Sequence, residues 1–427
     1  MPDGLIVGDS TTVTIRSRVV TASSSDQTPI TESDRAEAVS KQAGSDPIVL
    51  LVIGTSLLMG AGSVVFTMLP ALQQEVGFPT WGFGLIAGVF FAASLVAQLV
   101  LARQADRGRA RLLLTAAIGL GVFGLVLMAV GDSLLELTIA RGIGGLATGA
   151  WAPAARAIAI SGRPDQPARR LSYIAMADTS GLVIGPLLGA ALAGLYSPDV
   201  AFVVFASMIG LLTPVLFRLP IVEAKPETPG SPLLGLLGRR PVLQSVALAA
   251  ALFLPVGLYE TIWGKHLFNL GGTTFIVGLS VAAYGLPYVL VAPIGGRLGD
   301  RYGSLRVALL GAGGLVLITV VTGFQRNLWV LLGIGVLEAA VSAIAYPNAL
   351  AAVSRASRDE EQATAQGLAG GASIAAAGLM ALLAGPVFDQ GGPIAAFAVT
   401  AGLVAVIALV AASLDRTAFA ATVKQST

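Results

Sequence analysis

The 427-residue chain has no cysteine and a single histidine, His266. The first absence excludes disulfides, thiolate chemistry and cysteine-ligated metals. The second excludes a histidine-built metal site. Charge is scarce as well: Asp, Glu, Lys and Arg make up 12% of the residues, about half the roughly 25% of soluble domains. No Gly-rich loop ends in Gly-Lys-Ser/Thr, so no signal for ATP hydrolysis is present. Catalytic motifs are missing too, and an enzyme is not expected. No cofactor or metal is called for. What the chain has in abundance is apolar: 55% hydrophobic residues and a mean hydropathy of +0.81. Long uninterrupted apolar runs at that composition belong in a lipid bilayer.

Residues 1–47 are rich in Ser, Thr, Asp and Glu and lack apolar periodicity. They read as a disordered tail without a cleavable signal peptide. From Pro47 onward, twelve runs are long enough to span a membrane, which takes about 20 apolar residues. Their limits are 48–70, 82–102, 111–131, 133–159, 171–194, 200–219, 241–264, 275–297, 305–324, 328–352, 364–388 and 393–414. The longest connection, at 220–240, divides the runs six and six. The expected fold is therefore an all-α integral membrane protein of twelve transmembrane helices in two pseudo-symmetric bundles. These would cover 48–220 and 241–414, joined by a cytoplasmic linker at 221–240 and followed by a tail at 415–427.

Orientation follows from the basic residues. Of the 26 Lys and Arg, only Lys265 and Arg326 fall in loops of one side, and Arg141 lies within a span. The rest lie on the opposite side, which marks that side, and both termini, as cytoplasmic. The sequence pI near 9.0 thus reflects membrane orientation, and no nucleic-acid partner is implied. Trp81, Trp263 and Trp329 fall at expected outer helix ends, where interfacial tryptophans sit. The preference for Arg over Lys, and for Ala, Gly, Val and Leu, fits a bacterial source and hence the inner membrane.

The two halves repeat each other. An offset of 194 residues carries Ala102 to Gly296, Asp106 to Asp300 and Arg107 to Arg301. The same shift carries Gly84-Leu85 to Gly278-Leu279, and Pro153 to Pro347. The second copy, Gly296-Arg297-Leu298-Gly299-Asp300-Arg301-Tyr302-Gly303-Ser304-Leu305-Arg306, is the fuller one. It reads as a polar, glycine-punctuated turn between two spans. The fifth run carries Gly181-x-x-x-Gly185-Pro186-x-x-Gly189. Glycines at i, i+4 and i+8 flatten one helix face for close approach. Pro186 removes a backbone hydrogen bond and permits a bend.

With these motifs the chain resembles the major facilitator superfamily. The resemblance implies two rocking bundles. It implies that Asp106, Arg107, Gly296, Asp300, Arg301, Gly303 and Arg306 form conformational latches at the cytoplasmic face. Ala102 and Arg109 depart from the first latch pattern. Arg141-Gly142-Ile143-Gly144-Gly145 is similar to the family's helix-four motif, with Gly144 in place of Gln. The helix-five pattern Gly181, Gly185, Pro186 and Gly189 resembles that of proton-coupled drug exporters.

Ionisable residues inside a bilayer are costly and face a cavity or a partner. Arg141 and Glu338 each lie nine residues from an outer marker, Asp132 and Trp329, or roughly 13 Å deep at 1.5 Å per residue. Asp178 lies eight residues from Arg170, roughly 12 Å from the inner side. Depth alone therefore brings Asp178 within reach of Arg141, and this pair is the expected proton-linked element. A permanent structural pair is the alternative. Glu338 is read as a binding or proton-carrying acid, or as a buried carboxylate hydrogen-bonded to helix seven or eleven. Glu260 is read as near the outer surface, either a wet helix end or an acid that carries a proton or attracts cations. His266 and Lys265 are expected in an exposed loop, and Trp151, near the inner end of helix four, in packing or anchoring. Tyr284 and Tyr288, at i and i+4, are expected to line the cavity or to bond between helices.

The function expected is export of small apolar or amphiphilic compounds in exchange for protons, by a monomer. The alternatives are a proton-coupled uptake symporter for a sugar or organic acid, and a non-transporting membrane sensor.

Overall fold

The computed structural model describes residues 47–104, 109–162, 166–218, 235–236, 238–358 and 361–414. Asp106, Arg107, the amino-terminal tail, most of the linker and the carboxy-terminal tail lie outside the described residues. What is described is helical. We label the helices α1 (Ile48–Val76), α2 (Trp81–Gln104), α3 (Ala110–Val130), α4 (Leu134–Gly162) and α5 (Pro167–Leu195). Helix α6 is Pro198–Gly210 continued by Leu212–Arg218. Helix α7 is Arg240–Leu258, a π-helical turn Tyr259–Trp263, and Gly264–Asn269. Helix α8 is Thr274–Leu290 continued by Ala292–Tyr302 after a 45° bend. Then come α9 (Ser304–Phe324) and α10 (Leu328–Ala356). The run Gln362–Leu414 breaks at Gly392, with φ 66° and ψ −166°, into α11 (362–391) and α12 (393–414).

Hydrocarbon supplies no hydrogen bonds, so apolar runs of this length close their backbone bonds internally as helices. By length and apolarity, nine of the described helices can cross a membrane, or ten if the bent pair counts as one span. Two further expected runs are present in other form. The 53-residue run is broken at Gly392, and α4, carrying Arg141 and Arg156, is not apolar enough along its length to count among the nine. Helix ends follow local chemistry. Gly77 stops α1 in the left-handed region at φ 77°, donating to the Gln73 carbonyl. The Asn327 side chain caps α10 by accepting from the Trp329 and Val330 amides at 3.0 and 3.2 Å.

The glycine-punctuated stretch at 296–306 is not a turn for most of its length. Gly296, Asp300 and Arg301 lie on the last part of α8, and the reversal falls at Gly303, at φ 90°. Glycine takes that backbone without a Cβ clash. The bend at Val291 has its cause in Pro293, which cannot donate to the preceding turn.

The buried side chains form two main clusters. One draws on residues 50–216 and the other on residues 236–411 together with Phe66. Glycine seams hold the helices close. A Cβ on Gly185 would lie 2.5 Å from the Gly60 backbone, one on Gly189 would lie 2.8 Å from Val64, and one on Gly181 would overlap the Ser56 carbonyl. The helix-five glycines therefore seat α5 on α1. Two more seams join the halves. A Cβ on Gly278 of α8 would lie 2.7 Å from the Pro186 carbonyl of α5, and one on Gly84 of α2 would overlap the Ala381 carbonyl of α11. Gly84 and Gly278 are the pair related by the 194-residue offset, and each seats one half on the other.

Candidate functional site

Between the halves lies a cavity of about 550 Å³. Its wall draws on α1, α2, α4 and α5 from one half and α7, α8, α10 and α11 from the other. The lining is largely apolar and aromatic, with Phe66, Phe90, Phe91 and Trp151 facing Phe253, Tyr259, Trp263, Tyr284, Tyr288 and Tyr346. Its charged members are Arg141, Arg156, Asp178 and Glu260. One end is shut by cross-half contacts. Lys265 Nζ donates to Gln73 Oε1 at 2.8 Å, and a Cβ on Gly264 would lie 2.7 Å from Pro70. Toward the other end the lining extends to Gln98, Arg156, Tyr346 and Gly370.

Arg141 is 3% exposed, and its Nη2 donates to Glu260 Oε2 at 3.2 Å. Its Nη1 donates to the Gly62 carbonyl at 3.0 Å, and its guanidinium lies 4.0 Å from the centre of the Phe90 ring. The buried cation is thus held by an anion, a carbonyl and an aromatic face. The expected Arg141–Asp178 pair does not form. Depth counting places residues along a helix axis but not around it, and Asp178 faces the cavity near Arg156 instead.

Glu260 is also deeper than expected. Helix α7 runs on nine residues past it to Asn269, roughly 13 Å further. The same extension brings Lys265 and His266 out of the expected loop and into the helix. His266 is 1% exposed and packs on Phe388 and Phe397. Trp263 is buried rather than interfacial, donating to Ser280 Oγ at 2.9 Å. Trp81 and Trp329 do remain exposed helix-end residues. Trp151 is buried and donates to Thr55 Oγ1 at 2.9 Å, as the packing expectation required.

The π turn Tyr259–Trp263 matters most here. Such turns insert one residue into a helix and recur at functional sites. Here the turn directs two adjacent side chains to different partners, Glu260 to Arg141 and Tyr259 to Glu338. Glu338 is fully buried behind the wall rather than in the lining, and it accepts the Tyr259 hydroxyl. Tyr284 and Tyr288 both line the cavity with ring centres 6.0 Å apart, and Tyr284 lies 6.3 Å from Tyr259. Sequence reasoning passed over Tyr259, Phe90 and Gly62. A tyrosine next to an in-span carboxylate was the available signal for the first.

Asp300 pairs with Arg355 at 2.9 Å, and Arg355 also donates to Ser304 Oγ at 2.8 Å. This contact ties α8 to α10 within one half, so it does not itself bridge the halves as a latch would. Arg301 lies 5.1 Å over the Tyr302 ring. Among the described residues no group of His, Asp and Glu comes together to hold a metal ion.

Residues 51–264 and 261–425 both match the sequence profile of the Major Facilitator Superfamily. The chain belongs to the major facilitator superfamily. It is accordingly a multi-pass membrane transporter and not an enzyme. Among curated relatives, the multidrug resistance protein MdtG of Escherichia fergusonii is 26% identical over 66% of this chain and 73% of its own length. MdtG of Proteus mirabilis is 26% identical over 68% and 76%. Among solved structures, a bacterial homolog of the human lysosomal transporter Spinster, inward-facing and occupied, superposes with a TM-score of 0.74. The match has 16% identity and covers 87% of this chain and 96% of that one. The nucleoside transporter NupG superposes at 0.72 with 14% identity, over 86% and 99%. These two likenesses are of fold.

Proposed function

We propose that this transporter exports small apolar or amphiphilic compounds in exchange for protons. It would work as a monomer in the bacterial inner membrane, with both termini cytoplasmic and bundles at 48–220 and 241–414. The observation that carries this reading is the character of the cavity: about 550 Å³, aromatic-walled, with a few convergent charges. A site of that size and lining suits drug-sized apolar ligands. The name of the MdtG relatives points the same way.

In this reading the Arg141–Glu260 bridge is the coupling element. Protonation of Glu260 releases Arg141 and loosens the tie between halves, and deprotonation restores it. Asp178 is a second acid reachable from the same space. Tyr284 and Tyr288 contact the substrate. Rocking of the halves about the seams of α2 on α11 and α5 on α8 alternates access. The driving force includes about 2.3 kcal/mol per charge for each 100 mV of membrane potential.

The test is a proteoliposome assay with an imposed pH gradient and a panel of cationic, neutral and anionic amphiphiles, with nucleosides, sugars and organic acids alongside. Gradient-driven movement of amphiphiles supports the reading. Uptake of a polar nutrient with no response to amphiphiles replaces it with symport.

A further inference from the structure

Glu338 stands apart from the cavity's ion pair. It has no measurable exposure, and its Oε1 has no hydrogen-bond partner among the described residues. Among the described residues, the titratable groups facing it are phenols, Tyr259 on α7 and Tyr284 and Tyr288 on α8. From α9 Thr322 stands beside the Tyr259 hydroxyl, and from α12 Phe397 lies 6.0 Å from the Tyr259 ring. No cation is within reach of the carboxyl among these. Burying a carboxylate without a cation costs far more than burying the neutral acid. Yet a second carboxyl oxygen is left with nothing to bond, as expected of a group whose proton comes and goes. Its contact toward the cavity is the hydroxyl of Tyr259, which itself lines the cavity wall.

We infer that Glu338 is a second proton-binding site, distinct from Arg141–Glu260, and that Tyr259 is the hydroxyl through which its proton passes. The transfer balances. A hydronium in the cavity gives a proton to the Tyr259 oxygen as the Tyr259 O–H proton moves to Glu338 Oε2. Water is left in the cavity, neutral tyrosine in the wall and a neutral acid behind it. The cavity is large enough for many waters at about 30 Å³ each. The π turn makes this device part of the coupling element. Tyr259 and Glu260 are adjacent in one turn, so a movement that parts Glu260 from Arg141 also moves the hydroxyl that serves Glu338.

This inference deepens the proton-coupled reading and is tested without any substrate. Full-length protein purified in detergent is subjected to pH steps while the protonated-carboxyl band is followed by infrared difference spectroscopy. Wild type is expected to show a pH-dependent band that Glu338→Gln lacks. In Tyr259→Phe the band should persist but form about a hundredfold more slowly, the usual worth of a positioned proton-transfer group. Identical spectra for wild type and Glu338→Gln overturn the site, and unchanged kinetics in Tyr259→Phe overturn the route. Should Glu338→Gln fail to fold, the Tyr259→Phe kinetics still decide the claim, because the acid is native there. Liposomes that fail to move amphiphiles would sink the export reading and leave this band standing. A missing band would sink the second site and leave the cavity ion pair standing.

Discussion

Replacing Glu260 by Gln removes an anion from a guanidinium that is 3% exposed. At 3.2 Å and an effective dielectric near 20, the gross attraction is about 5 kcal/mol. Desolvation of both ions cancels much of that, and losing one partner of a buried pair costs about 3–5 kcal/mol. The figure must be reduced here. Glu260 keeps 20% of its side-chain surface open to the cavity, and Arg141 retains the Gly62 carbonyl and the Phe90 ring. A loss of about 2 kcal/mol is therefore expected for Glu260→Gln. At roughly 2 °C per kcal/mol for a chain of this size, Tm in detergent should fall by about 4 °C. Arg141→Gln should cost a similar amount, because it strands the carboxylate instead. The double variant should recover part of both losses, with a coupling energy of about 1–2 kcal/mol. Additive losses, or a Glu260→Gln protein as stable as wild type, would refute the claim that this bridge holds the halves together.

Four further outcomes follow from the same structure. Gly185→Val forces a branched side chain against the Gly60 backbone; overpacking of this kind costs about 1–3 kcal/mol or more, read as a lower Tm and poor yield, while Gly144→Ala, which meets open space, should be near neutral. Gln73→Cys with Lys265→Cys, made directly in this cysteine-free chain, replaces two long side chains that meet at their tips, so a bifunctional methanethiosulfonate reagent of about that reach should bridge the closed end and stop transport until reductant is added. Asp300→Asn breaks a bridge whose partners are 78% and 52% exposed, so its effect on Tm should stay within about 1 kcal/mol. Glu361 feels desolvation that raises its pKa, but the Arg358 amide and the Arg239 guanidinium more than offset this and hold it below 4.5. A depressed carboxylate stabilises above its unfolded value and loses that contribution as pH falls through the folded one. Glu361→Gln should therefore flatten the acid limb of a Tm-against-pH curve below about pH 4.5, at the usual carboxylate range.

The helical class and family were legible because they rest on long signals: apolar runs, the offset between Asp106 and Asp300, and the glycines of α5. Spacing at i, i+4 and i+8 also announced a close-approach face on α5, though not that α1 fills it. Partner identity was not legible. Arg141 met Glu260 rather than Asp178 because counting residues fixes depth and leaves azimuth free. Glu260, Trp263, Lys265 and His266 were all placed too near the outer surface for one reason. The apolar run stops near Trp263, whereas the helix continues to Asn269 through polar residues that the fold covers, Lys265 by Gln73 of the opposite half and His266 by Phe388 and Phe397 of its own. Tyr259 went unnoticed because its importance comes from a π turn, a local change of helical register that hydropathy does not record.

The glycine seams bear on how this protein can evolve. Where a Cβ on Gly185, Gly278 or Gly84 would strike backbone, no larger residue fits without moving a whole helix. Variation that widens or narrows the range of transported compounds is thereby channelled to Phe90, Phe253, Tyr288 and their neighbours on the inner wall. A population selected for transport of a new compound should accumulate its adaptive changes there and leave the seams silent.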